Sequence, residues 1–240
     1  MVDLPRRSLL AGMAALGASA CSKINDAETT QAVFKAAEDG HRALHRALAG
    51  KQGLAKEFRP DQRSPTFRGN GSVTVADPFY QDQLAKGFAD WKLEVRGLVE
   101  KPLALSLADV KGLPQRTQIT RHDCVEGWSA IGEWQGPQLA ALLDAAKVRE
   151  GANFIVFRCA DVLYGRDYYE SIDMVDAYHP QTIIAHSLNG EPLPEKNGAP
   201  LRMRIERQLG YKQAKYVKAI EAVASFADIG QGKGGFWEDV

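Results

Sequence analysis

Apolar residues recur at helical spacing over residues 31–49 (QAVFKAAEDGHRALHRALA), which predicts an N-terminal helix or helix pair with Gly40 as its weak point. Residues 50–90 show no sustained period and are rich in Gly, Pro, Asn and Asp, so they read mostly as ordered loop, of a length that tends to carry function. From Trp91 the pattern sharpens. Residues 91–96 alternate apolar and polar, as a half-buried strand does. Ser106 is placed to cap a short helix through Ala108, Asp109 and Val110. Residues 118–124 read as a strand running into a loop, and residues 137–146 as a helix with proline in its first turn and a Leu-rich face. Residues 153–157, 181–185 and 201–205 are predicted short strands. The tail after Phe226 is glycine-rich and is expected to loop over the surface. No repeat or sharp linker divides this pattern, so the expected fold is one α+β domain of mixed β-sheets with surrounding helices.

Composition narrows the classes. Thirty basic and thirty acidic residues in 240 leave no net charge, which argues against a nucleic-acid partner. The apolar share of 45% and charged share of 25% are those of an ordinary globular chain. Three cysteines are too few for a disulfide-stapled scaffold or a four-cysteine zinc or iron–sulfur site. No uninterrupted apolar run reaches the roughly 20 residues of a spanning helix.

The first residues have a different character. Arg6 and Arg7 precede a short, weakly apolar stretch that ends in Ala18, Ser19, Ala20 and Cys21. Residues 1–20 are therefore expected to be a twin-arginine export signal, with the periplasm as destination. The small residues suit an ordinary cleavage site, or a lipoprotein box in which Cys21 carries the lipid anchor. Losing residues 1–20 removes Arg6, Arg7 and Asp3 and leaves the balance one unit negative. The expected organisation is then signal 1–20, a helical and linker segment 21–64, a main domain 65–230 and a glycine-rich tail 231–240.

Cys124 lies in Thr120-Arg121-His122-Asp123-Cys124-Val125-Glu126-Gly127-Trp128-Ser129. Read by residue type alone it is a buried structural thiol, half of a disulfide with Cys159, or a nucleophile beside His122, with the two side chains expected to point apart. His41, His45, His179 and His186 have no metal-ligand spacing.

The stretch from His122 to Ser129 resembles the segment of the sulfite oxidase family that gives molybdenum its protein thiolate. The resemblance continues through Asn189-Gly-Glu-Pro-Leu-Pro-Glu-Lys-Asn197-Gly198-Ala199-Pro200-Leu201-Arg202 and Gly210-Tyr211-Lys212-Gln213-Ala214-Lys215-Tyr216, covering about residues 65–230. It implies a molybdenum–molybdopterin cofactor whose metal is held by two pterin sulfurs and the Cys124 thiolate, with Cys124, Arg202 and Asn70 as the catalytic set. Arg202 and Asn197 would contact the cofactor; many sulfite oxidases have His where this chain has Asn197, whereas the bacterial methionine-sulfoxide reductase branch has Asn-Gly-Ala-Pro-x-Arg. Gln213, Ala214 and Lys215 would line the phosphate end. Asn70 corresponds to an asparagine that reaches the pterin and metal, Val73 and Thr74 fall where backbone contacts occur, and Cys159 stands where some members have a cofactor Thr. Arg68, Arg121 and His122 could line a substrate funnel, and Tyr164, Tyr168 and Tyr169 could border the pocket.

Within these 240 residues no stretch resembles the immunoglobulin-like dimerisation domain of animal and plant sulfite oxidases or a Cys-x-x-Cys-His haem site. A monomer without its own haem is expected, exchanging electrons with a membrane haem protein or a soluble cytochrome c. The tail looks like one that continues in some relatives. The resemblance implies oxygen-atom transfer at sulfur, of sulfite or sulfoxide type. The competing reading is a cofactor-free exported lipoprotein or binding module that keeps the fold.

Overall fold

The computed structural model describes residues 27–50 and 53–240. The expected export signal, with Arg6, Arg7 and Cys21, lies outside the described residues. Two compact units divide at Gly53. The first contains α1 (Glu28–Ala49), one helix continuous through Gly40 rather than a pair. Glu28 in its first turn and Arg46 in its last complement the helix dipole, and Lys35 pairs with Asp39 one turn on at 2.9 Å.

The second unit runs from Leu54 to Val240. Its first residues are tied to the body by sheet-like contacts: Glu57 bridges Thr120, Phe58 N donates to Ile119 O at 2.8 Å, and Ser64 N to Ile131 O at 2.9 Å. The loop expected over residues 50–90 is interrupted by α2 (Pro78–Ala85), started by Asp77, whose carboxylate accepts from Tyr80 N.

β1 (Lys92–Gly97) and β2 (Leu103–Ser106) form a hairpin, followed by α3 (Leu107–Gly112). Ser106 caps α3 as its sequence predicts, in a reciprocal capping box with Asp109. β3 (Gln115–Asp123) and β4 (Ser129–Pro137) make a long hairpin. Pro137 closes β4 instead of opening a helix; α4 (Leu139–Ala146) starts two residues later and buries Leu139, Leu142 and Leu143. β5 (Phe154–Leu163) runs well beyond the predicted strand and pairs with β6 (Arg166–Asp173), which the sequence pattern did not mark. After α5 (Met174–Ala177) come β7 (Thr182–Ala185), β8 (Ser187–Leu188), β9 (Glu191–Pro192), β10 (Arg202–Ile205), β11 (Val217–Val223) and α6 (Phe236–Asp239).

Three sheets result. The largest has the order β2-β1-β11-β5-β6, with β1 and β11 parallel and the other pairs antiparallel. A four-stranded sheet is ordered β3-β4-β8-β9, and β7 pairs with β10. The apolar faces of these sheets, with α4, enclose one core around Trp91, Leu93, Trp134, Ile155, Phe157 and Met203. The expected mixed-sheet α+β domain is what forms. The tail does not simply loop over the surface: Ile229, Phe236 and Asp239 are buried and α6 packs on the body.

Candidate active site

The β3–β4 hairpin ends in a tight turn that presents Cys124. Cys124 N donates to Trp128 O at 2.9 Å, and Gly127 N donates back to Cys124 O at 3.1 Å. Gly127 has φ +85°, a backbone angle that favours glycine, so the Gly in the motif is a requirement of the turn. Glu126 ties this turn to the preceding loop, accepting from Trp128 Nε1 at 2.9 Å and from Gly71 N at 3.3 Å.

Cys124 opens on a cavity of about 190 Å³ whose walls include Asn70, Ser72, Asp161, Gln213, Lys215 and Trp237. Four predicted site residues thus converge there: Asn70, Cys124, Gln213 and Lys215. Lys215 Nζ donates to Ser72 O and, at 3.1 Å, to Lys196 O. Ser72 Oγ in turn donates to Asp161 Oδ2 at 2.8 Å. Arg202 and Asn197 form the layer behind. Arg202 is fully buried, donates to Asn197 O at 3.0 Å, and lies 5.0 Å from the Trp134 ring centre. Asn197 Nδ2 donates to Arg68 O at 3.1 Å, which fixes the entry to the Asn70 loop.

The remaining expectations divide. Ala214 is buried and donates no side chain to the cavity wall. Cys159 points into the core, and Val73 and Thr74 are exposed; none of the three lines the cavity. Both Cys124 and Cys159 are free thiols, so the disulfide reading falls. Tyr168 is on the cavity wall, Tyr164 is exposed, and Tyr169 turns away to bond Asp239. Arg121 is exposed and paired with Asp123. His186 bonds Gln115, and His179 is a buried residue of the body; neither joins a metal cluster among the described residues.

His122 does not point away from Cys124 by strand alternation, because positions two apart share a face. It is fully buried below the turn, with Arg204 at 2.9 Å from Nδ1 and Trp128 and Phe67 against its ring. Burial, reinforced by the charges of Arg204 and Arg202, pushes its pKa down to about 2. Its Nδ1 is engaged by Arg204, so that nitrogen is not available as a base for Cys124. His122 belongs to a buried network in which Arg204 also pairs with Glu206 at 2.8 Å.

Sequence reasoning missed Ser72, Glu126, Asp161, Tyr211 and Trp237. Only Glu126 and Tyr211 lay inside quoted motifs; the others reach the cavity through a loop, a bulged part of β5 and the tail, where no local pattern points.

Burial, with the Arg202 charge beside it, pulls Lys215 down to about 7, and burial next to Arg204 pulls Arg202 down to about 9. Burial raises the Asp161 carboxyl, and it raises the Cys124 thiol against the opposing pull of the Glu126 amide. Asn70 Oδ1, Asp161 Oδ1 and Arg202 Nε are buried without a hydrogen-bond partner. Buried polar atoms are rarely left unpaired, so Asn70 Oδ1 and Asp161 Oδ1 call for a ligand that carries hydrogen-bond donors, while the cations Arg202 and Lys215 suit an anionic group on it. Among the described residues no cluster of three or more His, Cys, Asp or Glu could cage a metal. A single soft thiol suits a metal that arrives with its own sulfur ligands.

The family model described as oxidoreductase molybdopterin binding domain matches residues 81–228. The chain belongs to this family, the sulfite oxidase type of molybdopterin-binding oxidoreductase. Among its relatives is a protein provisionally named protein-methionine-sulfoxide reductase subunit YedZ1 of Azospira oryzae, 40% identical over 76% of this chain and 67% of that protein. The protein-methionine-sulfoxide reductase catalytic subunit MsrP of Campylobacter jejuni is 34% identical over 58% of this chain and 51% of its own length. That of a Xanthomonas campestris strain is 32% identical over 62% and 52%. The chain thus spans about half the length of the MsrP relatives. The fold is similar to the sulfane dehydrogenase SoxCD of Paracoccus pantotrophus, with TM-score 0.53 and 23% identity over 57% of this chain and 39% of that one. This molybdopterin-binding oxidoreductase is therefore an enzyme, and three residues that line its cavity, Asn70, Asp161 and Gln213, each carry a buried acceptor oxygen without a partner.

Proposed function

We propose that the cavity holds molybdopterin with Cys124 as the protein ligand of molybdenum, and that the enzyme reduces sulfoxides of the methionine-sulfoxide type. The observation that carries the substrate choice is the character of the mouth. Val125, Tyr211 and Trp237 surround it, and the charged groups among them are the acids Glu126 and Glu238. Its cations, Arg202 and Lys215, are buried deep behind. A sulfite dianion would meet the Glu126 carboxylate and a Glu238 already paired with Lys212, whereas a neutral sulfoxide on an alkyl arm meets apolar surface. The names of the MsrP relatives support the same class.

Bound there, the cofactor supplies two-electron oxygen-atom exchange. The chain's residues do the rest. Cys124 gives up its proton on binding the metal, so loading releases a proton and weakens at low pH. Arg202 and Lys215 offset the negative charge of the pterin and its phosphate, and that anion restores the Lys215 proton that burial disfavours. Asn70 Oδ1, on the wall and without a protein partner, would accept from a donor of the bound group. Reduction of a sulfoxide consumes two electrons and two protons and releases water. Asp161, its carboxyl raised by burial and its Oδ1 facing no protein donor, is the acid in the wall able to deliver a proton. A cofactor-free binding module would leave these atoms unsatisfied.

We also propose export by the twin-arginine route to the periplasm, with Cys21 a candidate for lipidation, and electron delivery to a monomer by a separate haem protein. The deciding experiment loads the protein in a molybdenum-replete host and compares it with Cys124→Ser. About one molybdenum per chain is expected, and the variant should keep its circular dichroism while losing at least a hundredfold, roughly, in sulfoxide reduction with a reduced dye. Faster turnover of sulfite than of methionine sulfoxide would overturn the substrate reading. Full metal retention in the variant would overturn the ligand.

A further inference from the structure

Trp237 sits on α6, beyond residue 228 where the family match ends, yet it forms part of the cavity wall together with Cys124. Its side is 42% exposed, and a shallower hollow of about 300 Å³ shares Val125, Tyr211 and Trp237 with the cavity. The ring meets Tyr164 edge-on at 6.2 Å and Phe236 at 5.6 Å. Phe236 itself is buried and tilted on Tyr168 at 5.1 Å.

The neighbours of Trp237 hold it in place through charge. Glu238 accepts from Lys212 Nζ at 2.5 Å, and the same ammonium reaches the buried Glu170 at 2.9 Å. Asp239 accepts from the Tyr169 hydroxyl and from the amides of Gln231, at 2.8 Å, and Lys233, at 3.2 Å. The glycines of the tail make room for these carboxylates. A Cβ on Gly235 would stand 2.1 Å from Glu238 Oε2 and 2.8 Å from Lys212 Nζ, and one on Gly230 would stand 1.7 Å from Asp239 Oδ2. The tail is thus a fitted strap that carries an aromatic ring to the cavity wall beside Val125 and Tyr211.

We propose that Trp237 is a specificity-determining wall of the substrate mouth, packing against the alkyl arm that bears the sulfoxide, and that Lys212 is the positioning residue that holds it there through Glu238. The inference rests on the sulfoxide reading above. An indole face and edge favour contact with methylene and sulfur groups, so a substrate with a long arm gains from Trp237 what a two-methyl sulfoxide cannot.

The test uses cofactor-loaded protein and N-acetyl-methionine-sulfoxide methylamide, with dimethyl sulfoxide as the armless comparison. Calorimetric titration without an electron donor measures binding apart from turnover. For Trp237→Ala, Kd and KM for the amide should rise about tenfold, with the loss in KM rather than kcat, a change of about 1.4 kcal/mol. The KM for dimethyl sulfoxide should change by less than about twofold, and Trp237→Phe should keep most of the affinity. Lys212→Met should reproduce the split and Lys212→Arg should rescue it; a merely structural role would lower both substrates together. Unchanged amide binding in Trp237→Ala, or equal losses for both substrates, overturns the inference even if sulfoxide turnover stands. Trp237-dependent binding without any turnover would sink the reductase reading and keep the wall. Wild-type protein that neither binds nor reduces the amide would remove both.

Discussion

At the scale of single residues, the buried chemistry is set by neighbours several strands away. Arg204 lies under the site with no exposed surface, bonding His122, Thr120 and Glu206 and stacking 4.3 Å from the Trp134 ring centre. Glu206 is equally buried at its side chain and also accepts from Gln118 at 2.9 Å. Removing the cation leaves a desolvated carboxylate without its charge partner. Arg204→Met should therefore cost about 3–5 kcal/mol in urea unfolding, and Arg204→Met combined with Glu206→Leu should cost less than the single change. A single-variant loss below about 1 kcal/mol would mean that the network is solvated in a way its burial denies.

At the scale of elements, the placement of Cys124 depends on how closely β4 can lie against β7. Gly136, near the end of β4, makes this possible: a Cβ there would stand 1.9 Å from Ile184 O and 2.8 Å from Ala185 Cα, both on β7. Neither partner is a flexible side chain, so the strands must separate to admit a methyl group. Gly136→Ala should lower stability by at least about 3 kcal/mol and loosen the sheet that presents the Cys124 turn. Hydrogen exchange would show the loss at β4 and β7 first; exchange that rises evenly over the fold would argue against a local clash.

At the scale of the whole molecule, the strap and body meet in one shared ion cluster. Glu170 and Glu238 both bond the single ammonium of Lys212. Burial, with the charge of Glu238 added, outweighs Lys212 and raises Glu170 to about 7, above its ordinary 4.5. The folded protein then binds a proton there that the unfolded chain has already released, so this contribution to stability is complete below about 4.5 and disappears as pH rises through about 7. The fall in urea midpoint between pH 5 and pH 8 should be smaller in Glu170→Gln than in the wild type. An equal fall in both would show that Glu170 ionises normally.

Much of the molecule was legible along the chain. Periodicity located the strand at residue 92, the capped α3 and the strands at 182 and 202, because each is set by local alternation or by a cap three residues away. Motif order was enough to name the family and to bring Asn70, Cys124, Gln213 and Lys215 together. β6 escaped, since its run of buried residues from Tyr168 to Ile172 has no polar alternation to mark it. The helix expected from Pro137 begins at Leu139, because a proline also ends a strand whose last residue needs no ladder donor. Tertiary structure alone decided that Cys159 faces the core, that Asp161 reaches the cavity past a bulge in β5, and that the glycine-rich tail returns to place Trp237 on the wall of the cavity that Cys124 also lines. Sequence determines what has a short range: propensity, capping, the thiol in its turn, and the family's motifs. Burial, the pKa values it shifts and the contacts between segments far apart exist only once the chain has closed on itself.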